Sequence, residues 1–182
     1  MKTLLLLACI VFLGANLAFA QPGVIGITAD QGGTDCNLLD TVPGALVSYY
    51  VQHLRTAGAT AAQFSAPMPA CMIGAVWISD VPIGPSVGNS QIGIAIGYGG
   101  CFASPILILT INYFAFGATT PCCPYYPSPD PATGLIEMVD CAHFKMPAGA
   151  QCAMINPDVT CLCAATPTET STWGKVKALY SE

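Results

Sequence analysis

Along residues 44–52 apolar and polar side chains alternate. Ala45, Val47, Tyr49 and Val51 fall on one face of an extended chain, and Leu46, Ser48, Tyr50 and Gln52 on the other. A period of two marks a strand with one drier side. The period recurs at 91–98, where Ile92, Ile94, Ile96 and Tyr98 alternate with Gly93, Ala95 and Gly97. A face made of residues this small predicts close backbone packing or a shallow groove. Residues 105–114 are apolar on both faces, Ile106 and Ile108 alternating with Leu107, Leu109, Ile111 and Tyr113, which predicts a central strand covered twice. Weaker patterns at 23–28, 71–78, 135–141 and 152–155 bring the expectation to six or seven strands.

The interruptions are as informative as the strands. Residues 58–67 lose the period and predict no more than a helical turn before Pro67 and Pro69. Pro82, Gly84, Pro85 and Gly88 break the chain again. Pro121, Pro124, Pro127, Pro129 and Pro131 turn residues 117–134 into a long surface loop around Tyr125 and Tyr126. No apolar helix of three turns separates the strands, and no repeat period is present. The pattern therefore predicts an all-β chain: an antiparallel β-sandwich or distorted barrel of about seven strands. Past Cys163 a linker leads to Trp173, Val176 and Tyr180 at helical spacing. This predicts a short C-terminal helix, capped by Ser171 or Thr172, that needs a surface to dock on.

The N-terminus changes the compartment. Lys2, the apolar run of residues 4–13 and Ala18-Phe19-Ala20 have the layout of a secretory signal cut after Ala20. Lipid attachment at Cys9 is not expected, because only residues 4–8 would form its apolar lead-in. The division that follows is 1–20 signal peptide, 21–165 one sandwich domain, and 166–182 linker and helix. After cleavage Arg55, Lys145, Lys175 and Lys177 stand against ten acids, a net charge of −6. That balance excludes a basic nucleic-acid binder, leaves a neutral glycan or a cation as a compatible ligand, and assigns no membrane contact beyond the export signal. Only 8% of the residues are charged, against 18 Gly, 15 Pro and 10 Cys. Such a chain needs covalent cross-links more than a charged coat.

Nine cysteines remain after cleavage: Cys36, Cys71, Cys101, Cys122, Cys123, Cys141, Cys152, Cys161 and Cys163. Export supplies an oxidising route, so these are disulfide candidates, at most four bonds with one thiol over. The leftover predicts a buried thiol or a covalent dimer. Adjacent Cys122 and Cys123 are not expected to bond to each other, since neighbouring Cα atoms lie about 3.8 Å apart and disulfides prefer about 5.5 to 6 Å. The pairing itself is not fixed by spacing.

Asp30, Asp35, Asn37 and Asp40 form the one acidic cluster, with oxygen ligands that suit calcium but a spacing unlike an EF-hand. No other cofactor is indicated. GxSxG, GxGxxG, the phosphate-binding GxxxxGKS and HExxH are all missing, and His53 reads as a solvated strand edge. The enzymatic alternative is a glycan hydrolase using two of Asp80, Glu137, Asp140 or the Asp30 cluster, which requires carboxylates about 5 to 9 Å apart. Glu137, alternating with Leu135 and Val139, otherwise reads as an edge-strand acid.

The ending Pro167-Thr168-Glu169-Thr170-Ser171-Thr172-Trp173-Gly174-Lys175-Val176-Lys177-Ala178-Leu179-Tyr180, of the form PxExxTWGxxKALY, resembles that of a group of uncharacterised exported proteins from environmental bacteria. Residues 58–64 and 120–123 are similar to segments of the same group. The resemblance implies an extracytoplasmic β-rich domain and brings no catalytic residue. Together these readings predict a secreted, noncatalytic structural or recognition module of the cell surface or matrix. Its expected contact surface is aromatic: Tyr125, Tyr126, Trp77 and Trp173. The alternatives are the hydrolase and a fibre subunit that associates with itself through strand edges.

Overall fold

In the computed structural model the described residues are 22–163, and the alternation at 44–52 opens the longest strand. In chain order the strands are β1 (Pro22–Thr28), β2 (Asn37–Leu38), β3 (Ala45–Thr56), β4 (Ala59–Phe64), β5 (Val76–Pro82), β6 (Ser86–Asn89) and β7 (Gly93–Phe102). They continue as β8 (Ile106–Ala115), β9 (Cys123–Tyr125), β10 (Glu137–Asp140), β11 (Lys145–Pro147), β12 (Gly149–Gln151) and β13 (Ala153–Ile155). One five-stranded sheet has the order β12-β1-β3-β8-β5, the second β11-β10-β4-β7-β6, and a small third sheet β2-β13-β9. The two larger sheets bury facing side chains. Ile25, Ile27, Val51, Ile111 and Tyr113 of the first meet Ala62, Phe64, Ile94, Ile96 and Met138 of the second. Each large side chain so buried contributes about 1.5–3 kcal/mol.

The architecture is an all-β sandwich held by disulfides, but with thirteen strands among the described residues where about seven were expected. Strands of two to four residues carry too little period to be seen. The Ala-rich segment expected to form a helical turn is β4, paired on both sides, because ladder partners on β7 and β10 outweigh alanine's helical preference. The Pro/Gly break at 82–88 conceals β6, an edge strand that needs ladder bonds on one side only. The sheets are not purely antiparallel either, since β1–β12 and β2–β13 run parallel. The C-terminal helix and the signal peptide lie outside the described residues.

Residues 105–114 are apolar on both faces for a reason other than double cover. Val51 faces Leu109 while Gln52 faces Leu107, so Ile108 is an extra residue and the strand changes phase there. Ile106 and Ile108 on one side of that bulge, and Leu109, Ile111 and Tyr113 on the other, all reach the same core. Strand β3 likewise runs past its expected end. His53 is therefore not a solvated edge but fully buried, with Nδ1 3.0 Å from the Tyr98 hydroxyl. Gly23 makes room for it: at φ +76° it sits where a Cβ would come within 2.4 Å of His53 Nε2.

Eight of the nine cysteines pair. The bonds are Cys36–Cys163, Cys71–Cys123, Cys101–Cys141 and Cys122–Cys161. Cys152 is the odd thiol, half-buried between β12 and β13. The neighbours Cys122 and Cys123 reach different partners, as do Cys161 and Cys163.

Tyr125, expected to project from the proline-rich loop as a contact residue, instead points into the core and is fully buried. Its hydroxyl donates to the Ala66 carbonyl at 2.8 Å and lies 2.7 Å from the Tyr113 hydroxyl. With its one proton committed to Ala66, Tyr125 accepts from Tyr113, which in turn accepts from Gln91 Nε2 at 3.2 Å. Tyr49 packs against both rings, with centroids 5.8 and 6.1 Å away. The physical reason is size: the phenol fills space between sheets that a surface loop alone would leave hollow, and its polar tip finds a carbonyl there.

Three outcomes are expected. Replacing both Cys36 and Cys163 by serine removes a tie across 127 residues and costs about 5 kcal/mol in guanidinium denaturation, against about 4 for removing Cys101–Cys141. Tyr125→Phe strips the relay between Tyr113 and Ala66 and costs about 1–3 kcal/mol by the same measurement. Finally, burial pushes the hydroxyls of Tyr49, Tyr98, Tyr113 and Tyr125 above the ordinary phenol range. The unfolded chain then loses phenolic protons above about pH 10 while the fold keeps them. Stability is full below that pH and falls above it, by up to about 1.4 kcal/mol per pH unit for each tyrosine. Urea curves from pH 8 upward, on a Cys152→Ala background that prevents thiol exchange, measure the slope.

Candidate functional site

The expected aromatic surface does not assemble. Tyr125 is in the core, Trp77 is half-buried with its indole N–H donating to Asp80 Oδ1 at 3.1 Å, and Trp173 lies outside the described residues. Tyr126 alone of the four is exposed among the described residues, and its hydrogen bond with Cys152 raises its phenol.

The acidic cluster is likewise divided among separate partners. Asp30 accepts from the backbone of Gly32, Thr34 and Asp35 and from the Thr34 hydroxyl. Partial burial pushes its carboxyl up, but these donors together hold it below the usual range. Asp35 accepts from Asn37, and Asp40 is buried against Thr119 and Asn156. Among the described residues one group of three His, Cys, Asp or Glu side chains has its ligand atoms all within 4.8 Å of one another, Cys122, Asp158 and Cys161, two of which share a disulfide. Asp30 and Asp35 thus serve their own turn, Asn37 is tied to Cys163 and Asp40 to Thr119 and Asn156, and Asp30, Asp35 and Asp40 do not gather as one set of calcium ligands.

The carboxylates considered for hydrolysis also part company. Asp80, on β5 of the first sheet, receives Trp77 Nε1 and both the N–H and hydroxyl of Ser90. Asp140, at the end of β10, receives the Ala142 and Phe144 amides and closes its own hairpin. Glu137 is on the second sheet and is not an edge acid, since β11 pairs outside it. Asp80 thus sits on the first sheet and Glu137 and Asp140 on the second, and each is engaged by its own set of partners.

Two features take their place. The first is a groove of about 380 Å³ across the outer face of the second sheet. The registers build it in two ladder rows: Glu137, Gln63, Ala95 and Val87 side by side, then Lys145, Val139, Ala61 and Gly97. The small alternate residues of β7 predicted a shallow groove or close packing, and here they give its floor. The walls were not legible, because Val87 comes from a four-residue strand and Lys145 from a three-residue one. At one end Lys145 Nζ lies 3.8 Å from Glu137 Oε2. That oxygen is buried and receives no hydrogen bond among the described residues.

The second feature is a continuous open edge. Strand β5 closes one end of the first sheet's order and β6 the same end of the second, joined by residues 83–85. Val76, Ile78, Val81, Ile83 and Val87 project from this ribbon with half or more of their surface exposed. Among the described residues the outer backbone groups of β5 and β6 have no strand beside them.

No protein-family model and no curated protein matches the sequence. Among solved structures, a cohesin module from a Clostridium perfringens family 33 glycoside hydrolase is similar at 7% identity and TM-score 0.47, over 75% of this chain and 99% of that one. The sixth cohesin of Acetivibrio cellulolyticus scaffoldin B, solved with a dockerin, is similar at 12% identity and TM-score 0.48, over 76% of this chain and 100% of that one. These likenesses are to β modules of comparable extent and assign neither partner nor activity to this chain.

Proposed function

We propose that the chain is a secreted, noncatalytic module that associates with copies of itself by adding strand to strand along the β5–β6 edge. The observation that carries this reading is the edge itself. Five aliphatic side chains stand exposed along one ribbon that ends both sheets. Its one acid, Asp80, is turned to Trp77 and Ser90 and gives the edge no protective charge. Natural edges are usually blunted by lysine, proline or inward charge; here Pro82 is the last residue of β5 and Pro85 lies in the joint, which leaves residues 76–81 and 86–89 free to pair. Backbone bonding supplies the affinity in such additions and alternate side chains the register. Four disulfides support an extracytoplasmic setting, where a chain with few charges keeps its shape at high local concentration.

Sedimentation velocity is expected to show association rising with protein concentration, and Val81→Lys with Ile83→Lys to raise the dissociation constant at least about tenfold. Both positions are exposed, so the thermal midpoint stays within a few degrees. A wild-type chain that remains monomeric at every concentration, or a lysine variant that associates as well as wild type, overturns the reading.

A further inference from the structure

We propose a second site, bordering the strand edge at Val87: the groove on the outer face of the second sheet binds a small aliphatic amine, with the ammonium group on Glu137 and the hydrocarbon chain on the floor. Four observations point this way. The groove's volume, about 380 Å³, falls in the lower part of the range of small-molecule sites, about 300–1,000 Å³. Its floor, Ala61, Ala95 and Gly97, offers nothing larger than a methyl group, with Gln63 beside Glu137 at the polar end, so an unbranched chain can lie flat against the backbone there. Val87 and Val139 flank that floor with apolar walls.

The remaining observation is the carboxylate. Glu137 Oε2 is buried yet receives no hydrogen bond among the described residues. Its neighbour Lys145 stands 3.8 Å off, too far for a hydrogen bond, and its side chain is 67% exposed. A buried carboxylate oxygen without a donor is costly, and a charged N–H donor at normal distance is the strongest remedy. A ligand ammonium supplies that donor and Lys145 swings into water, where its charge is well solvated. A ligand carboxylate would meet Glu137 with like charge, and the chain's net negative charge would add to the repulsion. A ligand alcohol could fill the groove but would bring a weaker, uncharged donor.

The test uses the full mature chain and three probes of equal length, n-hexylammonium, n-hexanol and n-hexanoate, followed by NMR titration and calorimetry at neutral pH. Hexylammonium is expected to bind about tenfold or more tighter than hexanol, and hexanoate not to bind. Shift changes should concentrate on Ala61, Ala95, Gly97 and Val139. Glu137→Gln should bring hexylammonium down to the level of hexanol, whereas Lys145→Met should strengthen hexylammonium by removing its competitor. Ala95→Leu fills the floor and should abolish both; if it unfolds the chain, the shift map of the unsubstituted protein locates the site instead. The Val81→Lys, Ile83→Lys chain should still bind hexylammonium, so a failure of edge association leaves this result standing. Equal affinity for hexylammonium and hexanol, no binding of either, shifts away from the groove, or full binding by Glu137→Gln overturns the proposal.

Discussion

Two adjacent cysteines bound in different directions hold the molecule's least regular segment in place. Cys123 is tied to Cys71 and Cys122 to Cys161, so the proline-rich stretch is anchored from both sides at one point. In that stretch only Cys123–Tyr125 form a strand, with Pro124 at its centre, and β9 pairs with β13 over just those positions. Cys122 adopts φ 60°, a conformation non-glycine residues rarely take, and the two ties keep it there. Once the segment is fixed, Tyr125 is delivered into the core. A loop whose missing N–H groups bar it from a long ladder thereby becomes a wall of the hydrophobic interior.

That wall lets so weakly charged a chain keep polar groups inside. Gln91, Tyr113, Tyr125 and the Ala66 carbonyl form one relay, and Gln91 also accepts from Met68 N–H and donates to Ser90, which hydrogen-bonds Asp80. The relay runs from the β5 edge through the sandwich to the proline-rich loop. Each member is satisfied by the next, so the network specifies how the two sheets sit at that end while adding little net stability of its own. Stability comes from the aliphatic core and from four cross-links that restrict the unfolded chain.

How much of this was legible in the sequence depended on length. The alternation of β3 and of β7 is long enough to show its period, and both strands lie over it, though each continues beyond it, to Thr56 and to Phe102. Ala95 and Gly97 of the groove's floor could be read from the small face of β7, because a small face has few physical uses. Residues 106–113 misled because a single-residue bulge at Ile108 mimics a strand covered on both sides. Tyr125 misled because proline density signals a surface backbone but says nothing of where a particular side chain points. The acidic cluster misled because Asp30 and Asp35 satisfy turn amides close in sequence, and local spacing alone cannot distinguish a turn from a ligand set. The groove's carboxylate was invisible as a partner of β4 and β7, since Glu137 meets Gln63 across 74 positions of chain through a strand of four residues.

The two proposed sites share one strand, and that has a thermodynamic consequence. Val87 belongs to the open edge and also forms a wall of the groove. A strand added beside β6 would lie next to that wall and raise it, burying more of any hydrocarbon chain resting on Ala95 and Gly97. If association deepens the groove in this way, the amine must in turn favour association by the same factor, because coupling between two equilibria is reciprocal. An edge that occluded the groove would impose the opposite sign with equal symmetry. The chain's small outer face, exposed edge and a carboxylate oxygen without a hydrogen bond thus form one linked surface, with β6 as the element through which the two equilibria meet.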